Sequence, residues 1–152
     1  MMKRLSHIDL LALRESLSYK VDNNGQTCVF DPLRRKHIRA TPEEIVRQLW
    51  LVYLIHEIKL NKKLIAVERM FRSPNFVHRF DLVVFNKQAL PVLLAEFKSP
   101  GIPISQSTFD QIARYNMELQ VPYALVSNGR DHYCFNVDEK EKKYNWLESL
   151  PF

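Results

Sequence analysis

Two short runs, Leu82-Val83-Val84-Phe85 and Val92-Leu93-Leu94-Ala95, are apolar at every position. A strand with one wet face alternates between apolar and polar residues. A strand apolar on both sides is covered on both sides, and belongs at the centre of an α/β sheet. The segment Asn86 to Ala89 has turn chemistry, so Val77 to Phe85 and Leu90 to Lys98 are expected to form a hairpin at the heart of the fold. Leu64 to Phe71 supplies a third strand just upstream.

Helices flank these strands. Thr41 is an N-cap, Pro42 suits the first helical position, and Glu44 completes a T-x-x-E capping box. Ile45, Leu49, Val52, Leu54 and Ile55 give that helix an apolar face, predicted to run to about Leu60. A second helix is expected over Thr108 to Leu119 with Ser107 as its N-cap. Strands Tyr123 to Ser127 and His132 to Val137 follow, split by an Asn128-Gly129 turn, with Lys143 to Trp146 as a short last strand. Residues 1–40 read as a β-rich N-terminal extension, with strands at Leu17 to Val21, Thr27 to Phe30 and His37 to Arg39. The main α/β domain is then 41–152, a mixed sheet flanked by helices.

Three polar residues interrupt the central strands: Asp81, Glu96 and Lys98. A carboxylate in a covered strand is costly unless paired or bound to a cation. Glu96 and Lys98 are two apart and share a face. In a hairpin of the right parity, Asp81 lies opposite or diagonal to Glu96, with Cβ atoms roughly 5–8 Å apart. Two such carboxylates repel unless a proton or cation intervenes. A small set of oxygen ligands suits Mg²⁺, with Mn²⁺ as a substitute, better than Zn²⁺. Lys98 would place positive charge where a phosphate develops negative charge. An internal salt-bridge network at a sheet end is the competing explanation.

The order TPEEIVRQ, LIAVE, RFDLVVF, LLAEFKSPG, FDQIARYN, VPYALVSNG, HYCFNV resembles the PD-(D/E)XK nuclease superfamily. Within it, the chain resembles the N-terminal nuclease domain of type I restriction enzyme R subunits, and most of all the short stand-alone versions of Bacteroidetes-like bacteria. The resemblance covers about Thr41 to Val137, and more loosely Phe30 to Arg39. It implies a restriction-endonuclease-like fold and DNA endonuclease activity. By the same resemblance Asp81 and Glu96 are metal ligands, Lys98 is catalytic, and Glu44 is an additional ligand on the first helix. Gln111 and Tyr115 match the family's Q-x-x-x-Y motif, which supports the site and DNA contact. Phe80 stands where the superfamily usually has Pro. No G-x-x-x-x-G-K-[ST] phosphate loop is present, so no ATP-driven motor is expected from these residues.

Two further residues are candidates from position. Arg79, two before Asp81, is expected to share its face, for phosphate contact or ion pairing. Glu68, the only carboxylate of the first central strand, either supports the site or pairs with Arg69, Arg72 or Arg79. The five histidines, His7, His37, His56, His78 and His132, lack ligand spacing and are expected to be structural or exposed.

Composition narrows the rest. The net charge of +5 suits a polyanionic partner, and Arg34, Arg35, Lys36, His37 and Arg39 cluster, although a solvated loop explains a basic run equally well. No apolar run reaches the roughly 20 residues of a membrane helix. The N-terminus lacks a signal-peptide core, and Cys28 and Cys134 read as separate reduced thiols, so a cytoplasmic location is expected. DNA, a second copy of the chain and other restriction-system subunits are the candidate partners. The rival reading is a catalytically silent nucleic-acid-binding or assembly module that keeps the nuclease fold.

Overall fold

A computed structural model describes residues 1–152. A 3₁₀ turn (Leu10–Ser16) leads into a three-stranded antiparallel sheet, β1 (Tyr19–Val21), β2 (Thr27–Asp31) and β3 (Lys36–Arg39). Helix α1 (Pro42–Val52) follows, then a π-helical turn (Tyr53–Glu57) and a 3₁₀ turn (Lys62–Leu64). The large sheet takes β4 (Ile65–Arg72), β5 (Val77–Phe85), β6 (Pro91–Phe97), β7 (Tyr123–Ser127), β8 (His132–Asp138) and β9 (Lys143–Trp146), with α2 (Gln106–Leu119) between β6 and β7. These six strands are neighbours in chain order. Only β6 and β7 run parallel, because α2 carries the chain back across the sheet between them.

The expected mixed sheet flanked by helices is what forms, and the two apolar runs explain it. Along β6, Leu93 and Ala95 enter the core under α1 beside Leu49, Trp50 and Leu54. Leu94 enters the opposite core under α2, beside Phe109, Ile112 and Ala113. Both faces of β5 and β6 are thus dry, as their unbroken apolarity requires. The N-terminal residues share the first core: Leu5, Ile8 and Leu10 are buried in it, and Leu5 N–H donates to His132 O at 2.8 Å.

Three local expectations change. The first helix is α-helical only to Val52. It widens into the π turn, where Ile58 N–H donates to Tyr53 O and Leu60 N–H to Leu54 O, and it stops at Lys59 in the left-handed region (φ 65°). That conformation closes a helix C-terminus by turning the chain away from the axis. The second helix begins two residues earlier than expected, with Ser105 rather than Ser107 as N-cap. The Thr41 cap is made, Thr41 Oγ1 accepting from Glu44 N–H at 3.2 Å, but the reciprocal half of the capping box is not. The Glu44 carboxylate is held by Arg34, Arg47 and Gln48 instead, since guanidinium donors outcompete a backbone amide for it.

His132 pins the β7–β8 turn. It is 2% exposed, its Nδ1 bonds Ser127 Oγ at 2.8 Å, and its ring meets Trp50 edge-on at 5.2 Å. Burial lowers its pKa from the ordinary 6.5 to about 4. The unfolded chain therefore takes up this proton first. The stability tied to neutral His132 is complete above pH 6.5 and is lost as pH falls toward about 4. NMR titration of the folded protein should keep the His132 ring neutral through pH 5.5, and unfolding midpoints should drop across the same acid range. A ring that titrates at its ordinary value would refute this.

Candidate active site at the split of the central hairpin

The site forms where β5 and β6 part. Their last ladder pair toward this end is Leu82↔Ala95, so continuing the register sets Asp81 across from Glu96. There the regular alternation fails. Leu82 packs under α1, yet Phe80, two residues away, packs under α2. The facing strand shows the same disturbance: the β4–β5 ladder skips Glu68, whose φ is +51°, between Val67↔Leu82 and Arg69↔Phe80. An irregularity of this kind re-aims side chains beside it. Asp81 consequently turns to the strand end. Its Oδ2 accepts from Phe97 N–H at 2.7 Å and its Oδ1 from Arg47 Nη2 at 2.9 Å.

The register sets Asp81 and Glu96 opposite each other, close enough for the charge of one to act on the other. Burial, then the neighbouring Asp81 carboxylate, push the Glu96 carboxyl up to about 9; Lys98 pulls it down and Glu43 pushes it further up. Lys98 makes no ion pair of its own and lies near enough to act on Glu96, Glu43 and His78. Asp81, Glu96 and Lys98, singled out from sequence, therefore lie near one another where β5 and β6 part.

Glu44 is not part of this group. Its carboxylate is buried between Arg34 Nη2 (2.6 Å) and Arg47 Nη1. The acidic residue of α1 that does act on Glu96 is its neighbour Glu43, raised by burial and by the Asp81 charge, and lowered by Arg47 and Lys98. The family resemblance pointed to Glu44; nothing in the local sequence separates the two adjacent glutamates. Glu68 pairs with Arg34 at 2.9 Å, and lies 3.7 Å from Arg47 and 3.8 Å from Arg79. Arg79 is 61% exposed and reaches Glu68 rather than Asp81, because the irregularity at Asp81 undoes the two-residue periodicity.

Gln111 and Tyr115 do meet, Gln111 Nε2 donating to Tyr115 Oη at 3.0 Å. Tyr115 stacks on His78 with ring centroids 4.5 Å apart, and His78 Nε2 bonds Glu96 Oε1. His78 was expected to be bystander structure. It instead links the helix motif to Glu96, and burial lowers its pKa, which keeps it neutral there. Its Glu96 contact crosses strands at an irregular junction, so sequence spacing carries no signal for it. Arg47 was also passed over. Its signal was the i, i+3 spacing from Glu44 on the buried side of α1.

The oxygen donors that could hold a hard cation are Asp81 and Glu96. Asp31, Glu43, Glu44, Glu68, Asp81 and Glu96 are set against Arg34, Arg47, Arg79 and Lys98, an acidic excess in a half-buried place. No group of three or more His, Cys, Asp or Glu side chains is placed to hold a metal ion. Two carboxylates with open positions match a Mg²⁺-type ion that keeps water and takes substrate phosphate.

Arg47 ties these groups together, with its side chain 5% exposed. Replacing it with Met leaves Glu44 and Asp81 facing each other with one counter-charge fewer. Arg47→Met should lower the unfolding free energy by roughly 3–5 kcal/mol, read from urea denaturation. A loss below about 1 kcal/mol, the scale of an exposed pair, would show the network to be solvent-screened.

The sequence profile described as "Type I restriction enzyme R protein N terminus (HSDR_N)" matches residues 42–151. Among solved structures the chain is similar to a fragment assigned to the HsdR subunit of a type I restriction enzyme from Vibrio vulnificus YJ016, at 18% identity and a TM-score of 0.47. That match covers 72% of this chain and 23% of the other. None of the curated proteins matches. No helix is long and apolar enough to cross a membrane. With the profile spanning most of its length, the chain belongs to the family of type I restriction enzyme R protein N-terminal domains.

Proposed function

We propose that this chain is a metal-dependent DNA endonuclease domain of the PD-(D/E)XK kind, with Mg²⁺ as its ion and Mn²⁺ as a substitute. The observation that carries the reading is that two carboxylates from neighbouring strands, Asp81 and Glu96, are set opposite each other with Lys98 near them. Family membership points the same way.

Asp81 and Glu96 hold the ion, with Glu43 as the α1 carboxylate nearest to join them. A bound divalent ion supplies Lewis-acid polarisation of the phosphodiester and acidifies a water. The chain's own groups do the rest. Phe97 N–H and Arg47 fix the Asp81 carboxylate. His78, braced by Tyr115, fixes that of Glu96. Lys98 sets its ammonium against charge developing on the phosphate or the attacking water. DNA is the substrate, and other restriction-system subunits or a second copy of the chain would supply specificity or the second cut.

A second reading, a module that binds nucleic acid without cutting, draws on one observation. Arg47 already occupies Asp81 Oδ1 at 2.9 Å and competes with a cation for it. Calorimetric titration separates the two readings. Mg²⁺ or Mn²⁺ should bind the wild type, and Asp81→Ala or Glu96→Ala should abolish the heat. Supercoiled plasmid should be nicked by the wild type, and roughly 10²–10³-fold more slowly by Lys98→Ala, which still binds metal. Plasmid left intact across metals, alongside DNA binding that survives Asp81→Ala, would establish the silent module instead.

A further inference from the structure

Of the phenylalanine, tyrosine and tryptophan side chains, only Tyr19, Phe30 and Phe152 are exposed rather than buried or half-buried. Two of them lie on the small N-terminal sheet, where the register separates them. Tyr19 pairs with Val29, and Phe30, the next residue of β2, points to the other side. The side that holds Val29 and Asp31 is turned to α1: both are 0% exposed, and Asp31 Oδ2 accepts from Gln48 Nε2 at 2.9 Å. Phe30 therefore stands on the side turned away from α1, and it is left 38% exposed there.

The register also fixes what stands beside it. His37 pairs with Phe30 across β2 and β3, with ring centroids 5.3 Å apart and planes tilted by 58°. One row further along the strands, about 7 Å away, Lys20, Cys28 and Arg39 line up across β1, β2 and β3. Cys28 is buried, while Lys20 and Arg39 are exposed. Neither cation forms an ion pair with any carboxylate of the chain. Asp22 is the one acid on this side of the two hairpins. Its Oδ1 accepts from Asn24 N–H at 2.8 Å and Gln26 N–H at 2.9 Å, so it is committed to its own turn.

The outer face thus sets an aromatic pair beside two unmatched cations. A ring left in water next to uncompensated positive charge complements a base next to its phosphate. Every base offers a π-face for stacking, and the strand that carries it is polyanionic. A duplex keeps those faces inside its own stack. A second copy of the chain is disfavoured, because a twofold contact through this face brings Lys20 and Arg39 against their own kind. We propose that the outer face of the three-stranded sheet binds single-stranded DNA, one base stacking on Phe30 beside His37 and the flanking phosphates held by Lys20 and Arg39. The face lies on the far side of this sheet from α1, apart from the Asp81–Glu96 pair. Only the choice of DNA over RNA rests on the proposed function.

Fluorescence anisotropy with a labelled thymidine strand of about 15 nucleotides, in EDTA so that no cleavage intervenes, tests it. Phe30→Ala should weaken binding roughly 5- to 100-fold, the range for losing one stacked base. Phe30→Tyr keeps the ring and should bind as the wild type does. Lys20→Ala with Arg39→Ala should flatten the slope of log K against log salt by about 1.4, at about 0.7 per phosphate of a single strand. The other side of the same hairpins supplies the controls. Tyr19→Ala removes an exposed ring and Lys36→Ala an exposed cation, and both should leave binding unchanged. Lys20 and Arg39 are surface positions, so their double variant decides the matter even if Phe30→Ala fails to fold. Outer-face variants that bind like the wild type, or Tyr19 and Lys36 variants that lose as much, would overturn the proposal. So would a duplex, or a uridine strand, bound more tightly than the thymidine strand. Face-dependent binding without plasmid nicking in Mg²⁺ or Mn²⁺ would sink the nuclease reading and leave this site standing. Nicking alongside strand binding that ignores the outer face would do the reverse.

Discussion

Everything at the end of the sheet where Asp81 and Glu96 lie depends on how one guanidinium is placed. Arg47 is buried on α1 and binds Glu44 of its own helix and Asp81 of the central strand. Three ionised groups out of bulk water are tolerable only if each is matched by donors of opposite charge. Arg34 extends the matching outward to Asp31, Glu44 and Glu68. The facing carboxylates, Asp81 and Glu96, are the ones this lattice leaves partly unmatched. The Asp81–Glu96 pair is here the residue of incomplete pairing in an otherwise well-paired network.

The fold was legible in the sequence because periodicity reports which faces are wet. The all-apolar runs at Leu82–Phe85 and Val92–Ala95 marked the central hairpin, and every large-sheet strand appeared where the pattern set it, within a residue or two. The meeting of Asp81 with Glu96 was legible too, since it needs only a hairpin register. What failed were inferences from two-residue periodicity at the one place where it breaks. Arg79 was set beside Asp81 by counting residues, but the skipped ladder position at Glu68 and the shift between Phe80 and Leu82 redirect it. Glu44 was taken as a ligand from the family resemblance, but its carboxylate is spent on Arg34, Arg47 and Gln48. His78 was invisible because its partners, Glu96 and Tyr115, come from a neighbouring strand and a distant helix.

These misses share a physical origin. A strand irregularity is set by non-local demands: here, the need to turn Asp81 toward Phe97 N–H and Arg47 while keeping Phe80 in the α2 core beside Tyr115. Glu68 takes φ +51° in the facing strand, an uncommon state for a residue with a side chain, and its carboxylate spans Arg34, Arg47 and Arg79 as a result. Local propensity opposes that conformation, and the ionic contacts favour it. Departures from local preference concentrate at functional sites, and the disturbance of β4 and β5 coincides with the Asp81–Glu96 pair.

The boundary near residue 40 then takes on a different character. By sequence the first forty residues read as an appendage. In energetic terms they are part of the site, because Asp31 and Arg34 supply one corner of the charge network and Leu5, Ile8 and Leu10 fill the core beneath α1. Arg34 satisfies one side of Glu44, which frees Arg47 to lend its second amino group to Asp81. An N-terminal sheet that merely decorated the domain would have no reason to send a guanidinium inward to α1 and β4. Its inward charge stabilises the carboxylates behind the Asp81–Glu96 pair, while Arg35, Lys36 and Arg39 beside it face outward, so one turn serves both the construction of the site and the surface that surrounds it.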